Sequence, residues 1–435
     1  MSEEDLRARL ESTLTGKLQL PPGEISISSE ITLPAGAHDL EIVGDGTILK
    51  ASDDFEGRAL LVIEQANNIT LRDITIDGNR AMLDRPFPIA PPENAFRIWY
   101  PLNGLLVDQV EGLEITDSLF RNVVHFPILV SRSSSIGIHD VRVEDSGALN
   151  EAGRNNLSGG ILIEEGSTGF DVRDSTFRNI RGNGLWTHSL FTSPRLANGV
   201  FAQNRFDTIG RDALQVGHAT RVTVEFNEGV NIGYPVEVVD IENDGIPVAV
   251  DTAGDVDQTT YANNTFSEIN GKCFDLDGFH DGDVRDNTCT NRGPAEDYPT
   301  GHFGIVMNNT NPDTHSDNIG ITGNTIDGAK YGGVFVMGSG NTIDGNHLLN
   351  LNLAACSATS TDAACNYLPE EPELLRSGIY LGRGVARLEQ TEDNTIRDNE
   401  ITGFGMAQHC IEAGPGVTLA ANTVDDNQCQ STPAR

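Results

Sequence analysis

The chain has 435 residues, of which 64 are acidic and 29 are Lys or Arg, so its formal net charge is −35 at pH 7. That charge argues against nucleic acid or an anionic membrane surface as a partner, because both would repel an acidic protein. No apolar run approaches the roughly 18 residues that cross a bilayer, which argues against membrane insertion by a helix.

The first predicted element is a short helix at the N-terminus. Ser2 and Asp5 form the pattern of a capping box, and the helix is expected to end near Leu14. We expect residues 1–20 to cap one end of the following structure, where an exposed sheet edge would invite association. The opening segment has no pattern of a signal peptide.

Residues 21–435 are predicted to form one repetitive β structure. Gly is frequent (46 residues), aromatic residues are scarce (6%), and period-two apolar strands alternate with Gly, Asn and Asp turns. The unit recurs after roughly 22 to 30 residues, which is typical of a solenoid whose coils bury side chains against one another.

A polar residue recurs at one phase of the repeat. Amides stacked one coil apart can each donate to one neighbour and accept from the other, so we predict an asparagine ladder. Its predicted members are Ser118, Ser175, Asn204, Asn227, Asn264, Asn287, Asn324, Asn346, Asn399 and Asn422.

Several segments interrupt the repeat and are expected to protrude as loops that frame a binding face. They lie near residues 81–101, 147–158, 240–254, 291–317 and 352–376.

The six cysteines occur in pairs along the chain. Cys273 is followed by Cys289, Cys356 by Cys365, and Cys410 by Cys429. An even number at short separations indicates local disulfides and an extracellular or periplasmic location, although sequence alone leaves their connectivity open. The spacings do not match a zinc site.

The repeat pattern resembles the right-handed, single-stranded parallel β-helix of the pectate-lyase-like superfamily. The resemblance covers roughly residues 20–430 and rests on the repeat rather than on a catalytic motif. It implies an all-β solenoid of about ten to twelve coils and a carbohydrate-active protein.

In one strand of each coil, successive side chains are predicted to point alternately into the core and out of it. The predicted inward pairs are Ile161 and Ile163, Leu185 and Thr187, Leu214 and Val216, Val236 and Val238, Phe274 and Leu276, Ile305 and Met307, Val334 and Val336, and Ile379 and Leu381. The residues between and after them form an outward column, with neighbouring coils about 4.8 Å apart.

Carboxylates cluster on this outward column. The preferred register places Glu237 beside Asp275 and Asp277. A second candidate strand within 240–254 would place Asp251 there instead. We prefer Glu237, because the run from Asn227 to Val236 has nearly the length of its counterparts in other coils.

The column predicts acid and base catalysis on a glycan. Carboxylates one coil apart, or two residues apart on a strand, bracket the separations used in glycoside hydrolysis, and mutual repulsion raises the pKa of one member. The predicted catalytic residues are Asp275, Asp277, Glu237 and His188. The predicted substrate-binding residues are Trp186, which would stack on a sugar, and Gln215, Asn308, Asp240, Asp251, His280, Lys272 and Tyr380.

The acids are most similar in style to those of polygalacturonase-type glycosidases, which carry aspartates on the same sheet. The motifs of that family (NTD, GHG and RIK) are absent, and Gly271 and Lys272 occupy the positions of its adjacent aspartates. The sequence therefore predicts an extracellular glycoside hydrolase or transglycosylase without implying a galacturonic substrate.

Two other functions stay open. A polysaccharide lyase or C5-epimerase would abstract a proton beside a uronate carboxylate with Lys272, Arg285 or His188, and calcium bound by the acids would neutralise that carboxylate. The third is a non-catalytic glycan-binding β-helix. Hydrolysis would require no cofactor, we predict no dedicated metal ligands, and the oligomeric state is open.

Overall fold

The computed structural model describes residues 1–155, 158–241, 245–361, 363–366, 368–384 and 387–433. The predicted insertions 147–158, 240–254 and 352–376 therefore each include positions outside the described residues. The chain divides into two compact units. The first comprises Met1–Ala213, His218–Val222 and Tyr234–Gly245, and the second comprises Leu214–Gly217, Thr223–Gly233 and Ile246–Arg435.

The first unit begins with the predicted helix α1 (Glu3–Ser12), and Ser2 and Asp5 form both bonds of the capping box. Two short helices, α2 (Arg80–Leu83) and α3 (Phe96–Trp99), lie in the first insertion. The strands are β1 (Gly16–Gln19), β2 (Gly23–Thr32), β3 (His38–Asp77), β4 (Asn103–Thr116), β5 (Leu119–Arg121), β6 (Ile128–Ser131), β7 (Ser134–His139), β8 (Arg142–Glu144), β9 (Gly159–Glu164), β10 (Thr168–Arg173), β11 (Thr176–Ile180), β12 (Asn183–His188), β13 (Leu196–Ala202) and β14 (Arg205–Ile209).

The strands of the first unit pair in parallel, one coil to the next, in three stacks. The first stack runs through β3, β4, β6, β9 and β12. The second stack runs through β3, β4, β7, β10 and β13. The third runs through β3, β5, β8, β11 and β14. Parallel pairing between successive coils is the architecture of a β-helix, because a strand reaches its parallel partner only after a complete turn.

Strand β15 (Leu214–Glu225) contains residues of both units. The second unit continues with β16 (Glu228–Ile232), β17 (Val248–Asp257), β18 (Thr260–Ala262), β19 (Thr265–Ile269), β20 (Lys272–Asp277), β21 (Phe279–His280), β22 (Gly282–Arg285), β23 (Thr288–Thr290), β24 (Ile305–Asn308), β25 (Ile319–Thr322), β26 (Thr325–Asp327), β27 (Val334–Val336), β28 (Thr342–Asp344), β29 (His347–Leu351), β30 (Ile379–Leu381), β31 (Thr395–Arg397), β32 (Glu400–Gly403), β33 (Ile411–Ala413), β34 (Thr423–Asp425) and β35 (Gln428–Ser431).

The second unit repeats the same three stacks. Its first stack runs through β17, β20, β24, β27, β30 and β33. The second runs through β18, β22, β25, β28, β31 and β34, and the third through β16, β19, β23, β26, β29, β32 and β35. The predicted all-β parallel solenoid with a short N-terminal helix is confirmed.

Side chains that point into the coils form the core. The predicted inward pairs are buried in every coil except one. The prediction that Val236 and Val238 point inward is wrong, because both lie in a 3₁₀ helix, Val236–Val238, and are only partly buried. Their place is taken by Val250 and Thr252, which lie opposite Phe274 and Leu276 and are 1% exposed.

The predicted asparagine ladder is present in the second unit. Its side-chain amides donate from coil to coil at 2.8 to 3.0 Å, from Asn227 through Asn264, Asn287, Asn324, Asn346 and Asn399 to Asn427. The prediction of Asn422 as a member is wrong, because Asn422 accepts from Asn394 in a second, parallel row.

The three predicted cysteine pairs are disulfides: Cys273–Cys289, Cys356–Cys365 and Cys410–Cys429. All three lie in the second unit. None of the helices in the described ranges is long and apolar enough to cross a membrane.

Candidate functional site

Three carboxylates meet on the outward side of the first stack in the second unit. Asp251 on β17 lies directly opposite Asp275 on β20, and Asp277 follows two residues later on the same face. The Asp251 and Asp275 residues are 8% and 9% exposed. We call Asp251, Asp275 and Asp277 the acid cluster.

The preferred register with Glu237 beside Asp275 is wrong. Glu237 is exposed on the 3₁₀ helix, where the N–H groups of Val238 and Val239 bond locally to Pro235 and Val236 instead of to the next coil. Strand β17 begins after Pro247, inside the segment 240–254 that was predicted to be a loop. The alternative register with Asp251 is the one that the structure contains.

Asp277 is held by one residue of the next loop. The backbone N–H of Thr310 donates to its Oδ1 at 2.7 Å, and the Thr310 hydroxyl donates to its Oδ2 at 2.8 Å. Burial raises the pKa of the Asp277 carboxyl and outweighs the opposing effect of these bonds, and the charge of Asp275 raises it further. Asp277 is therefore the member of the cluster whose environment favours the protonated form.

Asp275 has a different environment. Its Oδ2 contacts the Lys272 ammonium, and each of these two side chains is only 13% exposed. Its Oδ1 is buried and has no hydrogen-bond partner among the described residues. A buried carboxylate oxygen without a donor costs free energy, so such an atom is a candidate for contact with a ligand.

Two polar side chains flank the acids on the same face. Gln215 donates from Nε2 to Asp251 Oδ2 at 2.9 Å, and Asn308 on β24 lies opposite Asp277. The Gln215 residue is 7% exposed and Asn308 is partly exposed. Gln215, Lys272 and Asn308, all predicted to bind substrate, are thus brought together with the acid cluster.

A cavity of about 220 Å³ adjoins the acid cluster in the second unit. Lys272 and Asn308 line one part of it, and Phe303, Val306 and Phe335 line another. His302 also lines it, and burial together with the charge of Lys272 lowers the pKa of His302 to about 3. The imidazole is therefore neutral at physiological pH.

Tyr380 was predicted to bind substrate and is instead covered. Its residue is 1% exposed, its ring stacks on Phe335 with centroids 5.9 Å apart, and its hydroxyl donates to Glu371 Oε2 at 2.7 Å. The insertion 352–376 packs here against the outward column, which removes Tyr380 from solvent.

Trp186 and His188 belong to the first unit and pack against Phe96 of α3. The Trp186 residue is 5% exposed, whereas His188, which stacks on Phe96 with centroids 4.4 Å apart, is partly exposed. Trp186 therefore offers little surface for the predicted sugar stacking, and catalysis by His188 stays a prediction. Burial lowers the pKa of His188 to about 4, so the ring is neutral near pH 7.

Two further predicted binding residues lie elsewhere. His280 contacts Asp255 and Asp281 at 3.2 and 2.7 Å on a neighbouring strand pair, β17 and β21. Asp240 belongs to the first unit, is 5% exposed, and accepts from Asn150 Nδ2 at 3.1 Å. His280 therefore does not lie on the face of the acid cluster.

Thr310 and His302 were missed by the sequence analysis. Both lie in the segment 291–317 but outside β24, in stretches without period-two alternation, so the repeat gives them no register. Only the short distance of Thr310 from the end of β24 hinted at its place.

Two described clusters outside the site bring metal-ligand atoms within 4.8 Å of one another: Glu164, Glu165 and His188, and Glu373, His409 and Glu412. In both, the carboxylates already have partners. Glu164 accepts from the N–H groups of Phe96 and Arg97, and Glu373 from the Arg376 guanidinium. These contacts explain both clusters as structural.

Comparisons with known proteins address the fold. Residues 244–432 match the family model described as a right handed beta helix region. A search of curated proteins finds no match.

Solved structures are similar at low identity. An exopolygalacturonase from Thermotoga maritima is 11% identical with a TM-score of 0.54, covering 80% of this chain and 88% of that one. DFA-IIIase from Arthrobacter chlorophenolicus A6 in complex with GF2 is 12% identical with a TM-score of 0.51, covering 99% and 94%. ORF18 of Geobacillus virus E2 is 14% identical with a TM-score of 0.46; the match covers 71% of this chain and 56% of that one. The chain therefore has the right-handed parallel β-helix fold.

Proposed function

We propose that this protein is an extracellular glycoside hydrolase or transglycosylase that acts on an oligosaccharide or polysaccharide through the acid cluster. The observation that carries the proposal is the contrast between two carboxylates on one strand, Asp275, which is buried, and Asp277, which is partly buried. Burial raises the pKa of Asp277, whereas Asp275 is paired with Lys272. Glycoside hydrolysis requires such a pair, one carboxyl that keeps its proton and one that is charged.

Asp277 is the proposed proton donor to the leaving oxygen. Its raised pKa keeps a proton available at higher pH than an exposed aspartate would. When Asp277 is protonated, the Thr310 hydroxyl can turn and accept from it, because a hydroxyl both donates and accepts. Thr310 would thereby orient the acid without competing for its proton.

Asp275 is the proposed charged partner, with Asp251 beside it. Residues on adjacent coils lie about 4.8 Å apart and residues two apart on a strand about 6.6 Å. Carboxyl separations of about 5 Å suit a nucleophile, and separations above about 6.5 Å leave room for an attacking water. The backbone positions of the cluster have both spacings, so they are compatible with glycosidic cleavage by retention or by inversion.

The three disulfides support the extracellular location, because such bonds persist in oxidising compartments. The fold shared with an exopolygalacturonase and with DFA-IIIase supports a glycan substrate.

The test is a polysaccharide screen for new reducing ends, followed by two substitutions on the best substrate. Asp275→Asn and Asp277→Asn should each lower kcat by at least about a hundredfold. On aryl glycosides with a good leaving group, Asp277→Asn should recover most of its rate and Asp275→Asn should not. Asp283→Asn, an exposed aspartate on β22, is the matched control. Binding without turnover by wild type would instead favour a glycan-binding β-helix.

A lyase or C5-epimerase is the second candidate, favoured by the Lys272 ammonium beside Asp275. Lys272 would first have to give its proton to Asp275 or to solvent, and its neutral amine would then abstract the proton beside the uronate carboxylate, which calcium would neutralise. Ultraviolet absorbance from unsaturated products, lost on addition of a chelator, would establish this reaction in place of hydrolysis. Hydrolysis by the acid cluster should continue in the chelator.

A further inference from the structure

The cavity of about 220 Å³ beside the acid cluster is lined by both polar and apolar residues. Lys272, His302 and Asn308 are polar, and Val306, Phe335 and Leu375 are among the apolar residues. A sugar ring uses both kinds of contact, because its C–H face packs on apolar and aromatic groups while its hydroxyls require hydrogen bonds.

The cavity lies next to the acids on the same face of the solenoid. Val306 and Asn308 on β24 lie opposite Asp275 and Asp277, one coil away. Lys272 both lines the cavity and contacts Asp275. A ring in this cavity would therefore present its linkage to the acid cluster.

His302 adds a buried imidazole to the lining of the cavity. Its Nδ1 is buried and has no hydrogen-bond partner among the described residues. A neutral imidazole nitrogen without a partner can donate to or accept from a hydroxyl, according to its tautomer. A sugar hydroxyl that reached this atom would supply the missing bond.

The face is closed on the far side of the cavity. Beyond Phe335, the next residue of the column is Tyr380, which is 1% exposed beneath the insertion that contains Leu374 and Leu375. A glycan chain lying along the face cannot continue past this point. The cavity is also smaller than the roughly 300 to 1,000 Å³ of sites for larger ligands, which fits one sugar residue rather than several.

We propose that this cavity is the binding site for the terminal sugar residue of the substrate, so that the enzyme acts from chain ends and releases single sugars. The identity of the bond that is cut rests on the proposed function; the binding of a single sugar does not.

The test uses Asp275→Asn protein and five probes: D-glucose, D-galactose, D-mannose, D-fructose and D-galacturonate, observed by ligand-detected NMR. At least one should bind. Adding Val306→Trp, which fills the cavity from outside the core, should weaken that binding about tenfold or more, an energy of about 1.4 kcal/mol. Asn308→Ala should weaken it in the same direction with no added bulk.

Leu388→Trp is the matched control, because Leu388 is 66% exposed and does not line the cavity. It should bind the probe as the parent does. Failure of all five probes to bind, or binding that Val306→Trp and Asn308→Ala leave unchanged, would overturn the proposal.

Product analysis separates this inference from the proposed function. Single sugars as the first products of the wild type support both. Early release of mixed oligosaccharides would retain glycosidic cleavage and refute the terminal site. Probe binding that requires the cavity, without turnover of any glycan, would retain the site and refute the enzyme.

Discussion

Lys272 is the charged partner of Asp275. Both side chains are largely buried, so an aspartate left there without its cation would carry an uncompensated charge. The Lys272 ammonium thus does locally what a bound cation would do, while Asp275 Oδ1 stays buried without a donor among the described residues.

Replacing Lys272 with Met should lower kcat/KM by about tenfold or more, because the largely buried Asp275 carboxylate loses its charged partner. Steady-state kinetics on the best substrate measures the loss. Lys330→Met is the control, as Lys330 donates to the backbone oxygens of Tyr298 and Pro299. An unchanged kcat/KM in Lys272→Met would contradict the assigned role.

The buried carboxyl group of Glu164, which binds the backbone of the first insertion, is expected to make protein stability depend on pH. It is 0% exposed, its two oxygens accept from the N–H groups of Phe96 and Arg97 at 2.9 and 3.0 Å, and burial raises its pKa to about 7. Because the pKa of Glu164 is higher in the folded state than in the unfolded state, the folded protein keeps this proton up to a higher pH. Stability should therefore fall as pH rises from about 4.5 to 7, by up to about 3 kcal/mol.

Glu164→Gln should remove this part of the pH dependence. Thermal unfolding measured at pH 4.5, 6 and 7.5 should show a flatter profile than wild type, even though Gln loses one of the two backbone bonds. Glu111→Gln, an exposed substitution, should leave the slope unchanged. A slope retained in Glu164→Gln would assign the proton to another group.

At the level of elements, the buried amides of the asparagine ladder stand at turns between strands, where apolar side chains would form the core of most proteins. Asn324 donates from Nδ2 to Asn346 Oδ1 and to the Val284 carbonyl at 3.0 and 2.8 Å, and accepts from Asn287. Asn287, Asn324 and Asn346 are buried, so removing the amide of Asn324 leaves neighbouring polar groups without partners.

Asn324→Ala should lower the stability of the second unit by about 2 to 4 kcal/mol, since two or more buried groups lose a partner. The urea midpoint followed by circular dichroism measures the loss. Asn67→Ala, at an exposed position in the first unit, is the matched control and should stay within about 0.5 kcal/mol of wild type. Equal midpoints for the two variants would show that the ladder contributes little.

Periodicity predicts elements where side chains obey it. The inward pairs of β20, β24, β27 and β30 follow from alternation alone, and so do the outward positions of Asp275 and Asp277. Alternation could not choose between Glu237 and Asp251, because two short apolar runs flanked by prolines offer the same pattern. The strand pairing with the next coil places Asp251, not Glu237, beside Asp275. That pairing depends on the path of a loop whose sequence has no periodic pattern.

The covering of Trp186 and Tyr380 was beyond the reach of sequence for the same reason. A solenoid strand specifies that a side chain points outward, and an insertion decides whether that outward position meets solvent or protein. Phe96 covers one of these side chains, and the segment that contains Leu375 covers the other.

For the whole molecule, the disulfides and the tryptophans are divided between the units. All three disulfides lie in the second unit, and both tryptophans, Trp99 and Trp186, lie in the first. Tryptophan fluorescence therefore reports on the first unit, whereas a reductant acts on the second.

Reduction with dithiothreitol should lower the temperature of the transition seen by far-ultraviolet circular dichroism, by several degrees, because loops of 9 to 19 residues regain freedom in the unfolded chain. The fluorescence transition should move much less. A circular dichroism transition unchanged by the reductant would show that these bonds add little stability.

The number of residues between successive ladder asparagines bears on how the protein can evolve. Successive asparagines from Asn227 to Asn427 are separated by 37, 23, 37, 22, 53 and 28 residues, yet the amide contacts between them stay within 2.8 to 3.0 Å. The stacking of the coils is thus maintained whatever the number of residues between successive ladder asparagines. Segments that shape the cavity can be lengthened, exchanged or lost by mutation while the coils persist, so a new glycan preference can evolve without inventing a new fold.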